Sequence, residues 1–172
     1  MNSYDFYKSK LDRELNRRNY LDTAINNPIA GITIVVGIVS YILSENNFFD
    51  WESIDVIIIS IVVLSSISIV ISLFYIFSSY NNLIKGHDYL NYGFLEDYRK
   101  VERYYLNLNS EEHKDKFEND IIEKIIRYSD NHTLINDTRA KRLYRAKNFI
   151  IIGFTLSLIN LIILTFNKFI IC

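Results

Sequence analysis

What this chain lacks narrows its class before anything it contains. There is one cysteine in 172 residues, Cys172, so no intrachain disulfide forms and a stapled secreted domain is excluded. No HExxH, GxSxG or glycine-rich phosphate loop occurs, which removes the usual hydrolase and nucleotide-binding signatures. His87, His113 and His132 are scattered without ligand spacing, so neither a metal nor another cofactor is expected. Nineteen Lys and Arg against 20 Asp and Glu leave a net charge of −1, and nucleic acid is not an expected main partner. Residues 1–22 carry Lys8, Lys10, Arg13, Arg17 and Arg18 among four acids and have no apolar core of the signal-peptide kind.

Charge is missing altogether from three stretches: 23–44 (22 residues), 56–80 (25) and 148–167 (20). A helix rises about 1.5 Å per residue and the hydrocarbon core of a bilayer is about 30 Å thick, so about 20 apolar residues cross it. All three stretches reach that length, and isolated strands would leave their backbone groups unpaired in lipid. The expected fold is an all-α integral membrane protein: three transmembrane helices with a membrane-proximal cytoplasmic helical hairpin or bundle. Asn27-Pro28 reads as the start of the first span, with Asn as N-cap and Pro at the first helical position.

Lys and Arg set the orientation. Residues 1–22 hold five, the connector 45–55 none, 81–147 thirteen, and 168–172 only Lys168. By the positive-inside rule the N-terminal amphipathic helix 1–22 and the region 81–147 are cytoplasmic. The acidic connector 45–55 and the end 168–172 then face outwards from the inner (plasma) membrane, with Phe48, Phe49 and Trp51 as interfacial anchors. Beside the third span Arg139, Lys141, Arg142, Arg145 and Lys147 read as the topology determinant, attracting acidic headgroups.

Residues 81–147 contain no proline and only Gly86 and Gly93. Leu90, Phe94, Tyr98, Val101, Tyr105 and Leu108 recur at steps of three and four and predict one helix. Ser110 is placed to cap a second, with Phe117, Ile121, Ile125 and Tyr128 on one face. A turn around 129–133 is expected next, then a third helix from 137 that continues into the last span. On the N-terminal helix Tyr4, Tyr7, Leu11 and Leu15 share a face. So small a cytoplasmic region buries little apolar surface by itself, which points to a homo-oligomer or to a cytosolic protein partner.

Polar positions within the spans have two readings. Ser65, Ser68 and Ser72 with Ser79 and Tyr75, and Gly153, Ser157 and Asn160 with Asn167, lie along single sides of their helices. Small and polar residues so spaced either let helices pack closely and hydrogen-bond or line a watery path in an oligomer. Asn160 matters most, since an amide at that depth must find a partner. No acid or lysine lies inside a span, so a proton-coupled transporter lacks its usual signature. Arg127 and His132 form an Arg-x4-His pattern that resembles the motif of HEPN ribonucleases, a likeness that implies an arginine steadying a phosphate and a histidine exchanging protons. The alternative for Arg127 is a solvated cation near a helix end.

In layout the chain resembles small helical membrane effectors and accessory proteins of prokaryotic anti-phage systems. The likeness rests on the paired spans 28–44 and 56–80 and on the Asn-Asp-x-Arg-x-x-Arg-Leu-x-x-Ala run at 136–146 entering the last span. The Arg127/His132 pair looks like the degenerate HEPN motif associated with a pore-forming CRISPR accessory protein. That resemblance implies an oligomeric pore gated by cytoplasmic helices; a non-catalytic membrane scaffold and a membrane-tethered ribonuclease are the alternatives.

Overall fold

The computed structural model describes residues 3–45, 53–80, 99–100, 102–104 and 111–171. Nearly all of these are helical, and no strand occurs among them. Among the described residues four long helices follow in order: α1 (Ser3–Ala24), α2 (Asn26–Glu45), α3 (Ser53–Tyr80) and α4 (Glu111–Ile171). The stripe from Leu90 to Leu108, the cap Ser110 and the anchors Phe48, Phe49 and Trp51 lie wholly or mostly outside the described residues.

Only Ile25 separates α1 from α2, and the Ile29 amide donates to the Ile25 carbonyl at 3.4 Å across the junction. The span therefore starts just before the expected Asn27 cap, with Pro28 inside the first turn. Its missing N–H costs nothing there, because the first four amides of a helix have no intrahelical acceptor.

The turn expected around 129–133 does not exist. α4 runs unbroken through it for 61 residues. Neither glycine nor proline occurs between Gly93 and Gly153 to interrupt it, and the turn-forming Thr133 spends its hydroxyl on the Ser129 carbonyl of its own helix, 2.9 Å away.

Each helix hides one stripe, and the spacing is 3.5 rather than 3.6 residues. On α4 the inward positions step by four and three from His132 through Asn136, Arg139, Leu143, Ala146, Ile150, Gly153, Ser157 and Asn160 to Leu164, with Ile125 seven residues before His132. On α3 they are Ile58, Val62, Ser65, Ile69, Ser72, Ile76 and Ser79, and on α2 Ile32, Val35, Val39 and Ile42. This is the heptad pattern of knobs-into-holes helix pairs.

The chain divides into two compact units. The first takes residues 1–22 and 85–138, so α1 is grouped with the first part of α4. Leu11, Glu14 and Leu21 are buried there, with Tyr4, Tyr7 and Leu15 half-buried. The second takes 23–84 and 139–172: α2, α3 and the rest of α4. Among the described residues three helical segments are long and apolar enough to cross a membrane. Their outward faces carry Ile34, Val36, Val63, Leu64, Ile67, Val70, Phe74, Ile151, Ile159 and Ile162 in the open. A contiguous apolar surface on that scale is stable against lipid or protein, not against water. The second unit is accordingly a helical bundle of membrane-protein character.

Candidate functional site

The polar residues of α3 and α4 meet in a ladder inside the second unit. Its rungs fall every seven residues, descending α3 while climbing α4, as an antiparallel pair with one fixed register requires. At the first rung the Ser79 hydroxyl donates to the Arg139 carbonyl at 3.4 Å, and Arg139 Nε donates back to the Ser79 carbonyl at 3.0 Å. At the second, Ser72 Oγ donates to the Ala146 carbonyl at 3.1 Å. Ser65 Oγ donates to the Gly153 carbonyl at 2.9 Å at the third. The fourth is Asn160 Nδ2 donating to the Ile58 carbonyl at 3.0 Å.

Every rung runs from a side chain on one helix to the main chain of the other. That demands close approach, which Ala146 and Gly153 provide. A Cβ on Gly153 would lie 3.5 Å from both the Ser65 carbonyl oxygen and Ser68 Cβ. The third rung is doubled: Ser65 Oγ and Ser157 Oγ stand 2.8 Å apart. Since the Ser65 proton is directed at Gly153, Ser157 is the donor in that pair. Ser68 lies against the same glycine, with its own hydroxyl on the Leu64 carbonyl at 3.0 Å. Ser65, Ser68, Ser72, Gly153, Ser157 and Asn160 are thus brought to one helix–helix contact within a single chain. One atom is left over: the Oδ1 of Asn160 is buried with no hydrogen-bond partner among the described residues.

Five cations at the other end of the ladder divide by helix face. Arg139 is buried, and Arg142 Nη1 donates to the Ser78 carbonyl, so both cap the last turn of α3. The terminal carbonyls of a helix lack intrahelical donors and carry partial negative charge, and arginines supply both needs. Lys141, Arg145 and Lys147 are exposed. The Arg145 guanidinium stands 5.7 Å from the Tyr75 ring centre, and that ring stacks on Phe149.

A second polar cluster, unforeseen from the sequence, lies in the first unit. Asn136 Nδ2 donates to the Glu14 carbonyl at 2.9 Å and to Glu14 Oε2 at 3.1 Å. Arg17 bridges Glu14 Oε2 at 3.5 Å and Asp137 Oδ1 at 2.6 Å. The hydrogen bond that Arg17 donates to Asp137, outweighing the loss of hydration, holds the guanidinium above the usual arginine pKa. The readable signal was the spacing: Glu14 and Asn136 occupy heptad positions that apolar residues fill elsewhere.

Arg127 and His132 are not brought together. They stand five residues apart on one helix, about 140° around its axis; Arg127 is exposed and His132 is buried. Among the described residues no cluster of three or more His, Cys, Asp or Glu side chains is placed to hold a metal ion. Compared with protein-family models, curated proteins and solved structures, the chain matches none.

Proposed function

We propose that this chain is a non-catalytic accessory or effector protein of the inner (plasma) membrane. α2, α3 and the C-terminal part of α4 would span the bilayer, with the N-terminus and residues 81–147 cytoplasmic and the C-terminus outside. Its work is to tie a cytoplasmic helical unit, which takes up a signal or a cytosolic partner, to a sealed membrane unit. The observation that carries the reading is the ladder: hydroxyls and amide that would line a watery path instead donate to main-chain carbonyls within one chain.

A second reading, an oligomeric pore-forming or membrane-perturbing effector, draws on the orphaned Oδ1 of Asn160. A carbonyl oxygen buried at membrane depth needs a donor, and a water file or a neighbouring copy would supply one. The ribonuclease reading gains nothing from two residues on different sides of a helix.

Alkaline carbonate extraction and a potential-sensitive dye separate these readings. The anchor reading expects the expressed chain to stay in the membrane pellet and membrane potential to hold. Depolarisation by the native chain that Asn160→Leu abolishes replaces it with the pore reading. Release into the carbonate supernatant sinks both.

A further inference from the structure

Between positions 138 and 148 the charge is all of one sign, and the structure sorts it by face. Arg139 and Arg142 point into the end of α3 and are consumed as caps. Lys141, Tyr144 and Arg145 follow each other at helical spacing on the outer side of α4, with Lys147 beside them, and all four are exposed. None of the three cations has an ion-pair partner among the described residues. The sequence offers them none nearby, for no Asp or Glu follows Asp137, and α3 carries none after Asp55. Arg145 leans on the Tyr75 ring, a contact that orients the guanidinium without neutralising it.

What lies directly beside this face identifies its ligand. One turn further along α4, Ile151 and Ile152 are about half exposed, and the surface continues apolar through Ile159 and Ile162. Tyr144, 65% exposed, marks the border as an amphipathic ring does at a membrane surface. A molecule covering the whole face must present a phosphate-like anion to Lys141, Arg145 and Lys147 and hydrocarbon to the isoleucines. A nucleic acid or a free anion supplies only the first half.

We propose that Lys141, Tyr144, Arg145 and Lys147 form a headgroup site for an anionic phospholipid, separate in role from the capping pair Arg139 and Arg142. The site rests on the membrane reading given above. Its consequence is a division of labour within one basic run: three cations select lipid and two hold α3 against α4.

The test uses the full chain in detergent, titrated with phosphatidylglycerol or phosphatidylcholine and read by native mass spectrometry. The native protein is expected to retain the anionic lipid preferentially. Lys141→Gln, Arg145→Gln and Lys147→Gln should each reduce that preference about fivefold, with the melting temperature unchanged. Arg139→Gln with Arg142→Gln should lower the melting temperature and leave the preference; if that variant does not fold, the three surface variants decide alone. Equal retention of both lipids, a preference that survives the triple change, or displacement of the lipid by inorganic phosphate or single-stranded RNA would overturn the site. A chain that resists carbonate extraction yet shows no preference refutes the site alone, whereas a chain released by carbonate refutes the reading beneath it.

Discussion

Asn136 shows how much one amide holds. It has no exposed surface, and it reaches both the main chain and the carboxylate of Glu14, itself buried. Asn136→Ala strips a hydrogen bond from a buried carboxylate, at a cost of about 2 kcal/mol. Chemical denaturation followed by circular dichroism should show it, and a midpoint unchanged from the native chain would remove Asn136 from the pairing of α1 with α4. The Arg17–Asp137 pair is different in kind, because both side chains are substantially exposed. Asp137→Asn should therefore cost less than about 1 kcal/mol. Its pH behaviour follows from the sign of the shift. Arg17 is raised above its usual value, so its contribution is complete below the unfolded pKa and fades only as pH climbs through the still higher folded one. Titration of Arg17 accordingly adds no pH dependence to stability anywhere near neutrality; a neutral-range slope abolished by Arg17→Gln would contradict this.

Helix pairing turns on close approach at particular rungs. Ser65 both donates to Gly153 and accepts from Ser157, so Ser65→Ala removes two bonds at once. Hydrogen bonds between membrane helices average well under 1 kcal/mol each, and the expected loss is about 1 kcal/mol, read as a lower melting temperature in detergent. Two glycines of α2 offer a sharper contrast. A Cβ on Gly31 would sit 3.0 Å from Ile150 Cγ2, whereas one on Gly37 meets nothing within 4 Å. Gly31→Leu should cost about 1–3 kcal/mol through overpacking. Gly37→Leu should be neutral within about 0.5 kcal/mol; the same melting shift from both would mean that α2 does not pack on α4 by this face. The periodicity that governs these contacts was only half legible. The Ser65–Ser72–Ser79 line could be read as one side of a helix, but nothing in α3 alone says whether that side meets α4 or water. Across 129–136 the polar His132 and Asn136 disguised an uninterrupted heptad as a turn.

The two units follow the distribution of charge along the chain. The three runs without charge all fall in the second, and the charge-rich segments 1–22 and 85–138 make up the first. α4 contributes to both, its residues up to Thr138 to the first and those from Arg139 to the second. Orientation is open to a direct measurement, because Cys172 is the sole thiol. With the C-terminus outside, a membrane-impermeant maleimide should label intact spheroplasts as fully as lysed ones. Labelling only after lysis would invert the topology and move the proposed lipid site to the outer leaflet.

Composition alone decided that this chain forms long helices and that three stretches of it are apolar enough to span a membrane, because both properties are local: they need only run length, charge and the rarity of proline and glycine. Which polar residue faces which was not local. Ser72 meets Ala146, Asn160 meets Ile58, and Arg139 caps α3, because an antiparallel register couples positions far apart in sequence. Hydrogen bonding between helices sets that register, and only the folded pair shows which donors are left for anything else.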